Sequence, residues 1–513
     1  LFKKNYLSYL FICFLGAISA FSLPPYNYFI LNFFTFSLFF ILIFNKRKKI
    51  KNNLMFFNYG WFFGFGYFLS SLYWISISLT FDQDFRFLIP FATILVPSFL
   101  AVFYGLVTFL FSVFFSKKLI VSFLIFSVLF GIVELIRGYI FTGFPWNLIA
   151  FSFTKNVNFI QILSVIGTYS FNLICISLFT SPALFFFRKI KKNIFVCVFF
   201  TIIVSSFLIF GHIKKNDFNL KKIDKHNYTI RVVSPNIKLN RFYSGKDEFE
   251  IINELILLSD PKSKEQTIFL WPEGIISETD LDNIKTYEYL FSKKFSKNHI
   301  IIFGINSSNI KNGKKLYFNS LATVDNHLNL LNSYNKINLV PFGEFLPFED
   351  ILSFFGLKTI TNDYQSFSKG NERNFINIKN DKFNLNLLPL ICYELIYSGH
   401  LYEDQNFDFI INISEDGWFG KSIGPKQHFA HAIFRSIESG KYILRSANNG
   451  ISAIINPLGI SSKKIEFGNT GYIDFKESKL TKKTLFSKYG NKIFILLILL
   501  YIFLIFSFNR IKN

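Results

Sequence analysis

The first 211 residues are a succession of apolar runs separated by short polar or basic stretches. A helix that crosses a bilayer needs about 20 mostly apolar residues. Runs of that order fall near 6–22, 27–44, 54–80, 88–115, 119–140, 158–187 and 194–211, with an eighth near 492–508. The third, fourth and sixth are long enough to tilt or break. Between the seventh and eighth runs the pattern shortens. Apolar, β-branched and aromatic stretches at 228–234, 267–271, 299–305, 316–324, 383–391, 407–413 and 442–455 read as strands, the last broken by an Asn448-Asn449-Gly450 hairpin turn. Helical periodicity lies near 246–259, 281–296 and 425–440. Strands interleaved with helices predict layered α/β packing. The expected organisation is a seven-helix membrane domain over 1–211, an α/β domain over 212–490, and a final helix with a short tail over 491–513.

Composition supports this division. Hydrophobic residues reach 51% and charged residues only 17%, too apolar a balance for an ordinary soluble protein. The net charge of +22 raises nucleic acid as a partner, but no recognition motif accompanies it. Many of the basic residues sit instead where a membrane protein places them. Lys46, Arg47, Lys48, Lys49 and Lys51 follow the second run, Lys117 and Lys118 the fourth, Arg188, Lys189, Lys191 and Lys192 the sixth, and Arg510 and Lys512 the eighth. With Lys3 and Lys4 ahead of the first run, every basic loop falls on one side, so the α/β domain is expected outside the cytoplasm. The first run could pass for a signal peptide, but the next follows directly after Leu23-Pro24-Pro25-Tyr26, and a retained hairpin is expected. No nucleic acid is expected as partner; the bilayer is.

Cys13, Cys175 and Cys197 lie inside apolar runs, leaving Cys392 alone in the α/β domain. A lone thiol outside the cytoplasm is either buried filler or used, and the cysteine count leaves both open. Three segments carry unusual chemistry: TIFLWPEGI places Glu273 just past a buried strand, YNKINLVPFGEFLP places Lys336 and Glu344 around an apolar stretch, and LPLICYELIY ends a strand on Cys392, Tyr393 and Glu394. A carboxylate that takes the thiol proton and an ammonium that steadies an oxyanion would make Cys392 a nucleophile. Taken singly, Glu273 could cap a helix, Lys336 could be a surface lysine, Glu344 could pair with it for stability, and Glu394 could favour a helix N-terminus.

The WPEG, YNKINLVPFGEFLP and ICYE segments, in that order, resemble the Glu-Lys-Cys signature of the nitrilase superfamily. With the apolar runs, and with GWFFGFGYF, LYW, ELIRG, GFPW, NISEDGWFGKSIGPKQH and RSANNGISAIINPLG, nearly the whole chain resembles the bacterial apolipoprotein N-acyltransferase family. The resemblance implies a polytopic α-helical membrane domain of eight spans joined to a nitrilase-like αββα sandwich, in the cell inner membrane with the sandwich on the periplasmic side. It implies transfer of an acyl chain from phospholipid to a diacylglyceryl-apolipoprotein, by a monomer, without metal or cofactor. It assigns Glu273 as base, Lys336 as oxyanion stabiliser and Cys392 as nucleophile, with Glu344, Tyr393 and Glu394 in support. A membrane-tethered amidase acting on a small C–N substrate would share these three residues. Two departures stand out: Phe242 or Tyr243 where relatives carry a lid tryptophan, and Glu415 where an asparagine is common before Asp-Gly-Trp-Phe. The tryptophan-bearing segment 141–149 could line an acyl groove or anchor at the interface.

Overall fold

The computed structural model describes residues 2–186, 190–242, 247–311, 313–349, 366–399, 401 and 406–510. The chain forms two compact units. One comprises Leu1–Ser76, Phe87–Asp217 and Thr484–Asn513; the other comprises Ile77–Arg86 and Phe218–Lys483.

Among the described residues, 7 helical stretches, lying largely in the first unit, are long and apolar enough to cross a membrane: Ile30–Lys49, Leu54–Thr80, Gln83–Val113, Leu119–Arg137, Leu163–Phe186, Val198–Leu220 and Lys492–Arg510. The first expected span is present as a shorter apolar helix, Tyr6–Ala20. The long runs break as their length allows. The third gives way to a 3-10 helix at Tyr73–Thr80, and the sixth kinks at Gly167, whose φ is +73°. Between apolar helices in lipid there is little hydrophobic driving force, so association depends on close approach and polar contacts. Gly60 supplies the first of these: a Cβ there would lie 2.0 Å from the Tyr104 carbonyl oxygen on the Ile89–Val113 helix. Four residues before Gly60, the Phe56 carbonyl accepts a hydrogen bond from the Thr108 hydroxyl at 2.6 Å. Gly66 does the same towards the first helix, where a Cβ would meet the Cys13 carbonyl oxygen at 2.0 Å. Glu134 and Arg137, the charges of ELIRG, are buried together. Glu134 Oε2 accepts from Arg137 Nε at 2.7 Å and Oε1 from the Tyr104 hydroxyl at 2.8 Å, while Arg137 also donates to the Phe144 carbonyl. Charges at such depth are tolerated only when paired. Trp146 is buried against Trp74, ring centroids 5.1 Å apart.

The second unit contains two six-stranded sheets. Its strands are β1 (Ile223–Ser234), β2 (Thr267–Leu270), β3 (His299–Lys311), β4 (Lys314–Val324), β5 (Leu330–Asn335), β6 (Ile376–Lys379), β7 (Asn384–Ile391), β8 (Phe409–Glu415), β9 (Ile443–Asn448), β10 (Ser452–Ile455), β11 (Ser461–Ile465) and β12 (Gly471–Lys479). The sheet orders are β12-β1-β2-β3-β4-β5 and β11-β10-β9-β8-β7-β6. In each, three parallel strands (β1 to β3, β7 to β9) form the centre and antiparallel strands the flanks. Side chains alternate across a strand. On β2 and just past it, Ile268 and Leu270 therefore face the other sheet, meeting Ile391, Ile411 and Leu444, while Phe269 and Trp271 face Ile251, Leu255 and Phe291 of the covering helices. Parallel strands enclosed on both faces need apolar residues on both, which explains the unbroken runs in the sequence. The helix Gly424–Ser439 buries Phe434 and Ile437 and packs on the second sheet, completing the αββα layering.

Replacing Gly60 by valine puts a side chain where no room exists, and overpacking of this kind costs about 1–3 kcal/mol. Gly60→Val is expected to lower the thermal transition of the detergent-solubilised protein by several degrees, measured against Gly60→Ala as the milder case.

Candidate active site

Strand direction brings the site together. β2 and β3 are parallel, β4 runs against β3, and β5 runs against β4, so β5 ends on the same side as β2. Glu273 follows β2 in the bend Pro272-Glu273-Gly274, and Lys336 is the residue after β5. The bend lies on β3 at Gly304. A Cβ there would be 2.5 Å from Glu273 Cα, and the Gly304 N–H donates to the Pro272 carbonyl at 3.1 Å. Glycine in HIIIFGI therefore serves the site: it makes room for the carboxylate's backbone.

Lys336 Nζ donates to Glu273 Oε1 at 3.0 Å and to Glu344 Oε1 at 2.9 Å. Asn319, in the middle of β4, spans the same two carboxylates, giving Nδ2 to Glu273 Oε1 at 2.8 Å and to Glu344 Oε1 at 2.6 Å. Glu344 Oε2 accepts from the Val340 N–H at 2.8 Å, and Glu273 Oε2 from the Glu415 N–H at 2.9 Å. All of these side chains are buried. Burial opposes the Lys336 charge, but the two carboxylates outweigh it and hold the ammonium well above its ordinary range. The cluster thus favours the charged ammonium. Burial pushes the Glu344 carboxyl up, against the pull of Lys336.

Cys392 follows β7 and opens a short 3-10 helix, Cys392–Ile396, at φ +47°, a left-handed conformation costly for a residue with a Cβ. Burial pushes its thiol well up; the Glu273 charge adds to this and Lys336 acts against it. Burial and the Glu273 charge thus both favour the neutral thiol. Glu394 fixes the turn. Its Oε2 accepts from the Ile391 N–H at 2.9 Å, and its Oε1 from the Tyr334 hydroxyl at 2.6 Å, the Ile337 N–H at 2.9 Å and Arg373 Nη2 at 2.9 Å. One carboxylate thus ties the nucleophile's strand end to the segment bearing Lys336. Tyr393, buried beside it, packs edge-on against Tyr397 with centroids 5.7 Å apart.

Behind the turn lies a second buried group. His428 Nε2 is 3.2 Å from the Cys392 carbonyl oxygen and its Nδ1 2.9 Å from Asp416 Oδ1; Arg445 Nη2 contacts both Asp416 oxygens at 2.9 and 2.7 Å. Burial pushes the Asp416 carboxyl up, but Arg445 and His428 outweigh it and hold the group well below its ordinary value of 3.8.

All six residues singled out in the sequence are thus accounted for. Glu273, Lys336 and Glu344 meet directly, Glu394 clamps the turn, and Cys392 and Tyr393 lie in it. Asn319, Asp416, His428 and Arg445 were missed; the visible signal for Asn319 was a lone amide in an apolar strand. Tyr243 lies outside the described residues, while Phe242 stacks on Trp418 with centroids 5.5 Å apart. Glu415 accepts hydrogen bonds from Arg241, Gly417, Asn448 and Asn449, a full set for a buried carboxylate.

The layered fold with these groups at its strand ends is that of a carbon-nitrogen hydrolase, and the family model of that description matches residues 290–475, a span that includes Lys336 and Cys392 and begins after Glu273. The model for the N-terminal domain of apolipoprotein N-acyltransferase matches residues 15–181. An apolipoprotein N-acyltransferase of Rickettsia typhi is 35% identical, covering 97% of this chain and 99% of its own length; that of Rickettsia prowazekii is 34% identical, with 93% of each covered. That of Brucella melitensis is 29% identical over 90% of this chain and 87% of its own. The chain belongs to the apolipoprotein N-acyltransferase family.

Two outcomes follow from the buried charges. Glu394→Ala removes the carboxylate partner of Arg373 and the acceptor of three backbone N–H groups, and is expected to cost about 3–5 kcal/mol of stability, read as a lower unfolding midpoint in denaturant. A carboxyl depressed in the folded state contributes stability that is present above its unfolded pKa and lost as pH falls through the folded one. The wild-type melting temperature should therefore drop as pH falls below about 4. Asp416→Asn should be less stable at neutral pH and lose less over that acid window.

Proposed function

We propose that the chain carries a phospholipid acyl group, from the sn-1 position, to the N-terminal α-amine of S-diacylglyceryl-cysteine apolipoproteins through a thioester on Cys392. The observation that carries this reading is the buried Glu273–Lys336 pair, whose charges act on the buried Cys392 thiol, in a chain that matches N-acyltransferases along nearly its whole length.

In the first half-reaction Glu273 takes the Sγ proton as sulfur attacks the ester carbonyl. The new oxyanion is met by the Lys336 ammonium and the Tyr393 backbone N–H. Collapse breaks the ester C–O bond, Glu273 returns the proton to the leaving oxygen, and a lysophospholipid departs. In the second half-reaction the α-amine attacks the thioester, Glu273 accepts an amine proton, and collapse regenerates the thiol with the amide formed. Glu344 and Asn319 hold Lys336 and Glu273 in place throughout, and Glu394 keeps the Cys392 turn.

The basic loops support an inner-membrane protein with residues 212–490 on the periplasmic side, 1–211 as membrane domain and 491–513 as a returning helix and tail, acting as a monomer. The segments before and after the second unit, Val198–Leu220 and Lys492–Arg510, are both apolar enough to span.

Purified protein mixed with phosphatidylethanolamine vesicles should gain one acyl mass on Cys392, detected on the intact protein. Cys392→Ala should gain none, Glu273→Gln should acylate about 10²–10⁴-fold more slowly, and Lys336→Ala by a comparable factor. Ammonia release from small amides without any acyl adduct would overturn the transferase reading in favour of an amidase.

A further inference from the structure

Glu273 is held by more than its ion pair. Its Oε2 takes the backbone N–H of Glu415, and the residue after it, Gly274, sits at φ +53° with its carbonyl turned towards Arg241. Arg241 lies on a separate segment, the 3-10 turn Leu239–Phe242 that follows β1. Its guanidinium reaches the Gly274 carbonyl through Nη2 at 3.0 Å and Nε at 3.3 Å, and Nη2 also meets Glu415 Oε2 at 2.6 Å. Both side chains are enclosed, at 0% and 2% exposure. The rest of the fork is used locally, Nη1 lying 3.4 Å from the Ile237 carbonyl and 3.3 Å from that of Lys238. The Glu415 carboxylate is in turn fixed by Asn448 Nδ2 at 2.7 Å and the Gly417 N–H at 2.8 Å.

One cation therefore grips the two backbone segments that set where the Glu273 carboxylate points: the bend that carries it and the strand end that donates to its Oε2. We propose that Arg241 is a positioning residue for Glu273, acting through Gly274 and Glu415; this rests on the reading of Glu273 as the base. An enclosed arginine is suited to the task because its rigid fork can hold a carbonyl and a carboxylate at once, which an ammonium cannot reproduce. Without it, Glu415 is left as an uncompensated buried charge. The strand end then relaxes, and the Glu273 carboxylate loses the donor that keeps one oxygen free of the Lys336 pair.

The test uses the full-length protein in detergent. Peptide mapping gives the rate of Cys392 alkylation by iodoacetamide from about pH 6 to pH 9, and intact mass gives the acylation rate from phosphatidylethanolamine vesicles; both are expressed per mole of titratable Cys392. Arg241→Gln is expected to slow acylation about 30-fold and shift the alkylation profile, with Arg241→Lys about fivefold slower. The double variant Arg241→Gln/Glu415→Gln, which removes both charges and keeps an amide hydrogen bond, should recover to within about threefold of wild type. A merely structural role would lower the melting temperature and leave both rates and the profile at wild-type values, and that result in Arg241→Lys or in the double variant's parent singles overturns the proposal. Glu273→Gln acylating at the wild-type rate would instead overturn the base assignment. An alkylation profile that responds to Arg241 without any acyl adduct would keep the positioning role and remove the phospholipid donor.

Discussion

The second unit depends on one buried ammonium. Lys336 has no access to water and two carboxylates within 3.0 Å, so removing any member leaves charge stranded in a low-dielectric interior. Such a group is weak evidence for stability, since apolar residues of like volume often serve as well. Its cost is met here by geometry: β2 and β5 end on the same side, Asn319 supplies a donor to each carboxylate, and each outer oxygen has a backbone N–H. Glu394 then joins the strand end that precedes Cys392 to the segment that follows Lys336.

How much of this was legible follows from where each strand lies. The central strands were visible because enclosure on both faces demands apolar, β-branched runs. β5, β6, β11 and β12 were not foreseen, and these are the four sheet edges. Edge strands expose one side of their ladder and carry lysine, asparagine and serine, as in the Ser461–Ile465 segment SSKKI, so alternation fades and charge intrudes. A different cause hid part of the site. Glu273, Lys336 and Cys392 stood out as odd chemistry at the ends of apolar runs, but the residues that orient them are contributed by distant segments. Asp416, His428 and Arg445 read as loop, helix and strand residues, and only the fold brings them behind the Cys392 carbonyl.

The membrane-type unit was read from length and hydrophobicity alone, and its helices follow that reading closely. What the hydropathy pattern could not supply was how they touch. Gly60 and Gly66 look like ordinary small residues in an aromatic helix, yet each sits where a neighbouring backbone leaves no space for a methyl group. Glu134 and Arg137 stand out in the sequence only as part of the ELIRG motif; as neighbours one helical turn apart they neutralise each other and tie down Tyr104 and the Phe144 carbonyl.

The burial of the Cys392 sulfur bears on how it meets oxidants. Peroxide and other oxidants react with thiolates far more readily than with covered thiols, and the ladder from sulfenic to sulfonic acid soon becomes irreversible. Burial and the Glu273 charge both push the Cys392 thiol up, towards the form that oxidants attack slowly. The arrangement that raises the thiol, and in the proposed mechanism calls for a base, thus also shields the sulfur from oxidation.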